Sequence, residues 1–485
     1  FGSSSDDSLR CLDAGTGTLL WTYVAGGPIR LAPTVSGEQV LFGCDDGAVY
    51  SLNVQNGTLR WKARPPSARA LRLPGNGRMM SIAPIRTGVL VRGETAYFGA
   101  GLFPEEGMWY CRVNLQDGRI IEEKPIQHSP QGYIFERAGW LHSQAGRSHG
   151  SGALANVAAR SKVIVPAPSI LSKSAAAQFP FGLVQTPDRS FAGNGSGVAA
   201  FERGNPKPVW TAEVSAAARG LALAHGKLFV STTDGRIHAF GASAPRTTRL
   251  HVEENRMGDP PSPVPASVDH LIKTLPRSRG YALVVGVGDG SLLRALAERT
   301  ELHVVGVDTD GGEIARMRRE FAALGLYGVL DRSLGRGSIS LQEVETLEAL
   351  PFADHLFNLI LRGSSDVALP PSEAHRLASR WEGMVINGEG GAERVEPPAG
   401  AGQWTHAYAD PGNSAASGEI MVDGEVGLRW FGRPGPERII DRHMRAPPPL
   451  AGGGYLLVPG RDYLFGLDAC NGTILWERGI PRFTG

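Results

Sequence analysis

The chain has 485 residues, with 49 Lys and Arg against 48 Asp and Glu and a formal charge of +1. That balance excludes a whole-molecule electrostatic footprint for nucleic acid or an anionic membrane. Hydrophobic residues make up 42% of the chain, enough to bury cores and exclude global disorder, yet no run of about 18 apolar residues marks a transmembrane helix.

Length implies about three domains. Gly and Pro number 64 and 34, an excess that suits short strands joined by tight turns and not a helical bundle. The sequence opens at Phe1 inside a strand-like pattern and stops at Gly485 just after another. It therefore reads as an internal piece of a longer protein, with any signal peptide upstream.

A repeat is visible at once. Leu9–Trp21 reads L-R-C-L-D-A-G-T-G-T-L-L-W and Val49–Trp61 reads V-Y-S-L-N-V-Q-N-G-T-L-R-W. Asp13 and Asn53 each stand eight residues before a Trp, Gly17 and Gly57 each stand four before it, and Trp21 to Trp61 is a 40-residue period. An alternating strand ends at the Asp or Asn, a polar turn follows with Gly at positive φ, and a second strand carries the Trp inward or onto the next unit. Phe42–Leu52 gives a further strand–DG–strand hairpin. Val113–Ile121 keeps the turn but has Glu122 at the Trp position; Ala200–Trp210 keeps the Trp and loses the glycine; Phe229–Phe240 is another DG hairpin. Between them His142 and His149 lie in a Gly/Ser-rich stretch that reads as an inter-blade loop, with metal or substrate binding as the alternative.

The pattern stops near Gly241. Residues 243–265, rich in Pro, Ser and charge, read as a linker. The period then changes. Tyr281–Val287 and His303–Val307 are continuous apolar runs of the kind found in parallel sheets, as is Phe357–Leu361; Ser291–Arg299 and Glu313–Leu326 have helical spacing. Gly286, Gly288 and Gly290 form G-x-G-x-G around Asp289, a turn whose backbone passes close to a ligand and feeds a helix start. Asp308 ends the second strand, where a carboxylate accepts both hydroxyls of a ribose. The order strand, glycine turn, helix, strand predicts a Rossmann-like parallel sheet.

After residue 400 the first pattern returns. Trp404–Trp430 contains W-T-H-A-Y-A-D-P-G-N-S-A and L-R-W, and Tyr463–Trp476 repeats the hairpin with Asp468 and Gly472 at the same offsets from Trp476. The intervening Arg433, Arg438, Arg442, His443 and Arg445 read as a polar loop balanced by Glu437 and Asp441, with anion binding as the alternative. Trp21, Trp61, Trp210 and Trp476 read as packing residues and not as a carbohydrate platform. Cys11, Cys44, Cys111 and Cys470 are scattered singly, so neither a zinc site nor a disulfide framework is expected. No HExxH occurs, and no catalytic residue is assigned.

The pattern D-G-x-[VI]-x-[AS]-[LF]-[DN]-x-x-[TN]-G-x-x-x-W resembles the repeat of quinoprotein-type (PQQ-like) β-propellers, and Trp404–Trp430 resembles the way such propellers open. The resemblance implies the last blades of one propeller at 1–242 and the start of a second at 400–485. Quinone-dependent dehydrogenases of this type hold the quinone with adjacent cysteines and a carboxylate-bound calcium; this chain has no adjacent cysteines, so the quinone is not expected. The segment 266–395 resembles a class I S-adenosylmethionine methyltransferase domain. That resemblance implies that Gly286, Gly288, Asp289 and Gly290 line the methionine side of S-adenosylmethionine and that Asp308 holds the ribose. The family acid two residues before the first glycine is Val284 here, and the family Asp of the fourth strand is Asn358. The whole, and Asp441–Leu450 in particular, resembles large bacterial multidomain proteins of unassigned role.

The expected architecture is therefore all-β propeller blades flanking an α/β methyltransferase-type domain. The expected function is a binding scaffold with protein or small-molecule ligands on the propeller faces, no nucleic acid, and a periplasmic or secreted location. The alternative is an active methyltransferase, cytoplasmic, whose propellers recruit substrate; a quinone dehydrogenase comes third.

Overall fold

The computed structural model describes residues 1–137, 140–143, 153–156, 173–202, 205–242, 269–270, 272–273, 275, 277–328, 337–364, 366–386, 391–422, 424–435, 438–439 and 447–480. The chain forms two compact units, Phe1–Ser161 with Glu253–Gly485, and Lys162–Val252. The second unit contains a four-stranded antiparallel sheet (Phe181–Gln185, Arg189–Gly193, Gly197–Glu202, Trp210–Glu213) and a three-stranded one (Ala218–Ala224, Lys227–Thr232, Ile237–Gly241). Trp210 and Phe240 meet edge to face at 5.3 Å within it. The expected linker at 243–265 lies outside the described residues.

In the first unit three small antiparallel sheets of four strands come from Thr34–Gly43 with Val49–Ala63, from Leu90–Ala100 with Trp109–Pro125, and from Leu450–Gly460 with Tyr463–Gly479. The repeated hairpin is built the same way each time. The amides of Gly17, Gly57, Gly118 and Gly472 close onto the carbonyls of Asp13, Asn53, Asn114 and Asp468 at 2.8–2.9 Å. The Asp or Asn side chain then accepts the amide two residues on, at 2.9 Å for Gly15 and 2.8 Å for Gln55, Gln116 and Cys470. A register shift precedes every one of these turns, at Cys11/Leu12, Ser51/Leu52, Arg112/Val113 and Gly466/Leu467.

The tryptophans dock forward. The indole N–H of Trp21 donates to the Val54 carbonyl, Trp61 to Leu115 and Trp430 to Ala469, each at 3.0 Å. Each acceptor stands three residues before the turn glycine of the next hairpin, and each ring covers that glycine. Glu122 breaks the pattern as a donor, yet its hairpin still receives Trp61. Trp476 lies against Gly466 of its own sheet and is 39% exposed.

Between these hairpins in sequence lies a six-stranded sheet. Ser338–Glu343, Glu301–Asp308, Arg279–Val285, Leu359–Arg362 and Met384–Ile386 are parallel in that spatial order, and Ala392–Arg394 adds an antiparallel edge. Helices Ser291–Arg299 and Gly311–Ala323 follow the first and second strands of the chain order, and a short helix, Pro371–Leu377, follows the fourth. The second helix starts at Gly311, two residues before the expected Glu313, because the Asp310 side chain accepts from the amides of Gly312 and Glu313. It ends at Ala323, ahead of Gly325 at φ 63°.

The two faces of this sheet are covered differently. Ala282, Val284, Leu302 and Val304 pack on Leu293, Leu296, Ile314, Met317 and Phe321 of the helices. Tyr281, Leu283, Val285, Val305 and Val307 share a core with Leu41, Val49, Trp61, Leu73, Met79, Phe98 and Trp109, which belong to the hairpins of residues 34–125. No described helix is long and apolar enough to cross a membrane.

Candidate functional site

The glycine turn joins strand Arg279–Val285 to helix Ser291–Arg299. Gly286, Gly288 and Gly290 all hold positive φ, at 74°, 56° and 82°, a region where a Cβ is strained. The turn is pinned by Gly286 N–H to the Val307 carbonyl at 2.9 Å and by Gly290 N–H to the Val287 carbonyl at 3.1 Å. Asp308 stands beside it: one carboxylate oxygen accepts from the Val287 amide at 3.0 Å and the other from the Asp310 amide at 3.1 Å. The structure thus brings Gly286, Gly288, Asp289, Gly290 and Asp308 to one place. Asp289 is exposed and accepts from the Ser291 hydroxyl at 2.6 Å and its amide at 2.9 Å. Those bonds, the hydroxyl first, hold its carboxyl below the usual range.

The faces of the glycines are occupied by the protein itself. A Cβ on Gly286 would stand 2.6 Å from Cγ2 of Val367, on Gly288 2.6 Å from the Gly363 carbonyl oxygen, and on Gly290 3.1 Å from the Phe321 ring. The turn therefore needs glycine for its own packing, whatever it binds. What it offers a polar ligand is the half-exposed Asp308 carboxylate, which retains acceptor capacity beyond the two amides. Among the described residues no group of three or more His, Cys, Asp and Glu gathers as a metal-ligand set.

Sequence reasoning missed the neighbours. Glu343 ends the third strand in register with Asp308, crowds Gly311 at 2.6 Å from where a Cβ would stand, and pairs with Lys62 of the hairpin Val49–Ala63. Its strand, S-I-S-L-Q-E, alternates as a half-exposed strand does, but Ser338, Ser340 and Gln342 are all buried. The serine hydroxyls meet the two ring nitrogens of His303 at 2.7 and 3.0 Å, and Gln342 donates to the Gly26 carbonyl at 3.0 Å. Burial pushes the His303 imidazole down to about 3.

Asn358 is explained by its partners. Its carbonyl oxygen accepts from the Tyr281 amide at 3.0 Å and from the Asn471 side chain at 2.9 Å, while its nitrogen donates to Asp468 at 2.8 Å. Asp468 also pairs with Arg277 at 3.0 Å, and burial raises its carboxyl above the usual range despite these bonds. The turn Asp of the last hairpin is thus a buried joint between that hairpin and the parallel sheet.

Other sequence candidates disperse. His142 lies on strand Trp140–Ser143, and His149 lies outside the described residues. Arg438 pairs with Glu477 at 2.9 Å and covers the Tyr463 ring at 4.3 Å. Arg442, His443, Arg445, Glu437 and Asp441 lie outside the described residues.

Residues 1–169 match the family model described as outer membrane protein assembly factor BamB. Among solved structures, BamB from Moraxella catarrhalis is 14% identical, with 49% of this chain and 80% of that chain covered and a TM-score of 0.23. Quinohemoprotein alcohol dehydrogenase ADHIIG from Pseudomonas putida HK5 is 13% identical, with 50% of this chain and 40% of that chain covered and a TM-score of 0.21. The computationally designed Ika8 protein is 10% identical over 49% of this chain and 66% of its own, at a TM-score of 0.23. No curated protein matches the chain.

Proposed function

We propose that the chain is a binding or assembly scaffold of quinoprotein-type blades, in which a Rossmann-like, methyltransferase-type sheet serves as a structural insert. The observation that carries this reading is the shared core: one face of the parallel sheet packs on the hairpins of residues 34–125, with one short helix, Pro371–Leu377, beside them. The family match of residues 1–169 supports the scaffold part. A protein ligand on the propeller faces, outside the inner membrane, is the partner this reading favours.

A second reading is an active S-adenosylmethionine-dependent methyltransferase whose blades recruit substrate. It is favoured by the parallel strand order, with the glycine turn at the point where that order reverses, and by Asp308 at its edge. In that case Gly286, Gly288, Asp289 and Gly290 would line the cofactor and Asp308 would hold its ribose; the cofactor would supply the methyl group. A quinone dehydrogenase draws no support from the four separated cysteines.

The test is calorimetric titration of S-adenosylmethionine and S-adenosylhomocysteine into the whole chain, since the sheet shares its core with the hairpins. The expected result is no heat beyond dilution. Micromolar binding that is lost in Asp308→Asn, a variant that keeps an acceptor for the Val287 amide, would overturn the scaffold reading and establish the second.

A further inference from the structure

Arg72 opens the strand Arg72–Gly75 and is 6% exposed. Its backbone is held on both sides, its amide donating to the Pro351 carbonyl at 2.7 Å and its carbonyl accepting from the Ala353 amide at 3.0 Å. Its guanidinium, by contrast, makes no ion pair or side-chain hydrogen bond among the described residues, and Nη1 is fully buried without a partner. A buried cation in that state is costly, and an arginine carries five donors that cannot be deprotonated away.

Its surroundings deepen the imbalance. The charge that acts on it most strongly, Arg64, is a second guanidinium, and Arg318 is a third; Asp46 is the opposing carboxylate. Asp46 is already engaged, accepting from the Tyr50 hydroxyl and, at 3.0 Å, from the Ala48 amide. Arg64 donates to the Asp46 backbone carbonyl at 3.1 Å and Arg318 to the Leu341 carbonyl at 2.7 Å, so neither spends its charge on a carboxylate. The adjacent Asp45 is neutralised by Arg30 at 2.6 Å and Arg86 at 3.0 Å. Arg64 and Arg318 thus lie beside Asp46, Arg318 Nη2 and a carboxylate oxygen of Asp46 standing 3.2 and 2.6 Å from where a Cβ of Gly26 would be, and with Arg72 three guanidinium charges act on one carboxylate where the turn after Gly43 meets the strand Ser338–Glu343.

We propose that Arg64, Arg72 and Arg318 form a binding site for a phosphate dianion, free or carried on a phosphomonoester. An excess of two positive charges matches phosphate near neutral pH, and its oxygens suit the forked donors of arginine. The site is separate from the glycine turn and does not depend on how that turn is read.

The test uses the whole chain in low-salt chloride buffer, titrated calorimetrically with inorganic phosphate and with glycerol 3-phosphate, with melting temperature followed in parallel. Expected are one phosphate bound per chain, a melting temperature that rises with phosphate, and at least tenfold weaker binding in Arg64→Gln. Arg72→Met is expected to lose the phosphate response and, without phosphate, to melt no lower than the parent, because it removes an unpaired buried charge. Binding of the ester as well as the free ion identifies a site open to a phosphorylated metabolite; binding of the free ion alone identifies an enclosed one. No phosphate response in the parent, or an equal response in Arg64→Gln, overturns the proposal even where Arg72→Met fails to fold.

Discussion

At the scale of single residues, the turn glycines do two jobs. Gly118 holds φ 74°, and a Cβ there would stand 2.5 Å from the ring of Trp61, whose N–H is committed to the Leu115 carbonyl. Gly37 holds φ 57° with nothing near its Cβ position. Gly118→Ala is therefore expected to cost roughly 2–4 kcal/mol, backbone strain plus displacement of the indole, whereas Gly37→Ala costs only the backbone part, about 1 kcal/mol. Urea unfolding of the two variants checks the difference; equal costs would mean that the indole does not dock on the turn. Trp61→Phe, which keeps most of the apolar ring but loses the N–H donor, separates the hydrogen bond from the packing.

At the scale of elements, the strand pair Glu301–Asp308 and Ser338–Glu343 carries a pH dependence. His303 sits between two serine hydroxyls, and its native pKa of about 3 lies below the 6.5 of an unfolded histidine. A depressed histidine contributes stability that is full above pH 6.5 and is lost as pH falls toward 3, because only the unfolded chain takes the proton there. Between pH 6.5 and 5 the loss is roughly 2 kcal/mol. Asp7 acts in the opposite sense: burial raises its carboxyl to about 6 despite the Arg78 guanidinium beside it, so protonation between pH 6 and 3.8 favours the native state. The histidine effect is isolated by comparing the parent with His303→Gln, which is expected to lose the acid sensitivity between pH 6.5 and 5. An unchanged slope in the variant would assign the sensitivity to other groups.

At the scale of the whole first unit, the last hairpin and the parallel sheet meet through Asn358, Asp468, Asn471 and Arg277. The amide nitrogen of Asn358 donates to a buried carboxylate. Asn358→Asp, the residue expected from the methyltransferase resemblance, would set a second carboxylate against it with one nearby guanidinium to serve both. The expected cost is roughly 2–4 kcal/mol at pH 7, shrinking as pH falls and one carboxyl takes a proton. Chemical unfolding of the variant at pH 7 and pH 5 measures both parts, and a variant as stable as the parent at pH 7 would show that the joint is not closed. Asn358 thus has a structural reason: it supplies a donor where the hairpin presents Asp468.

The hairpin was legible in residue order alone, because its signals are local. Asp or Asn, a polar turn, Gly and Trp at fixed offsets encode an Asx turn, a positive φ and a docking ring within thirteen residues, so even Val113–Ile121 was readable without its own Trp. The glycine turn and Asp308 were legible for the same reason, as a break between two apolar runs. What lies against them was not. Glu343 and Lys62 are 281 residues apart, Asn358 and Asp468 are 110 apart, and the polar residues of Ser338–Glu343 are buried by distant partners, the serines against His303 and Gln342 against Gly26. Arg72 carried no sequence signal at all, since a guanidinium is unremarkable until folding buries it without a partner. Period and turn chemistry act over a few residues and can be read from order alone; the covering of a sheet face and the pairing of buried charges depend on which distant segments pack together, and emerge on folding.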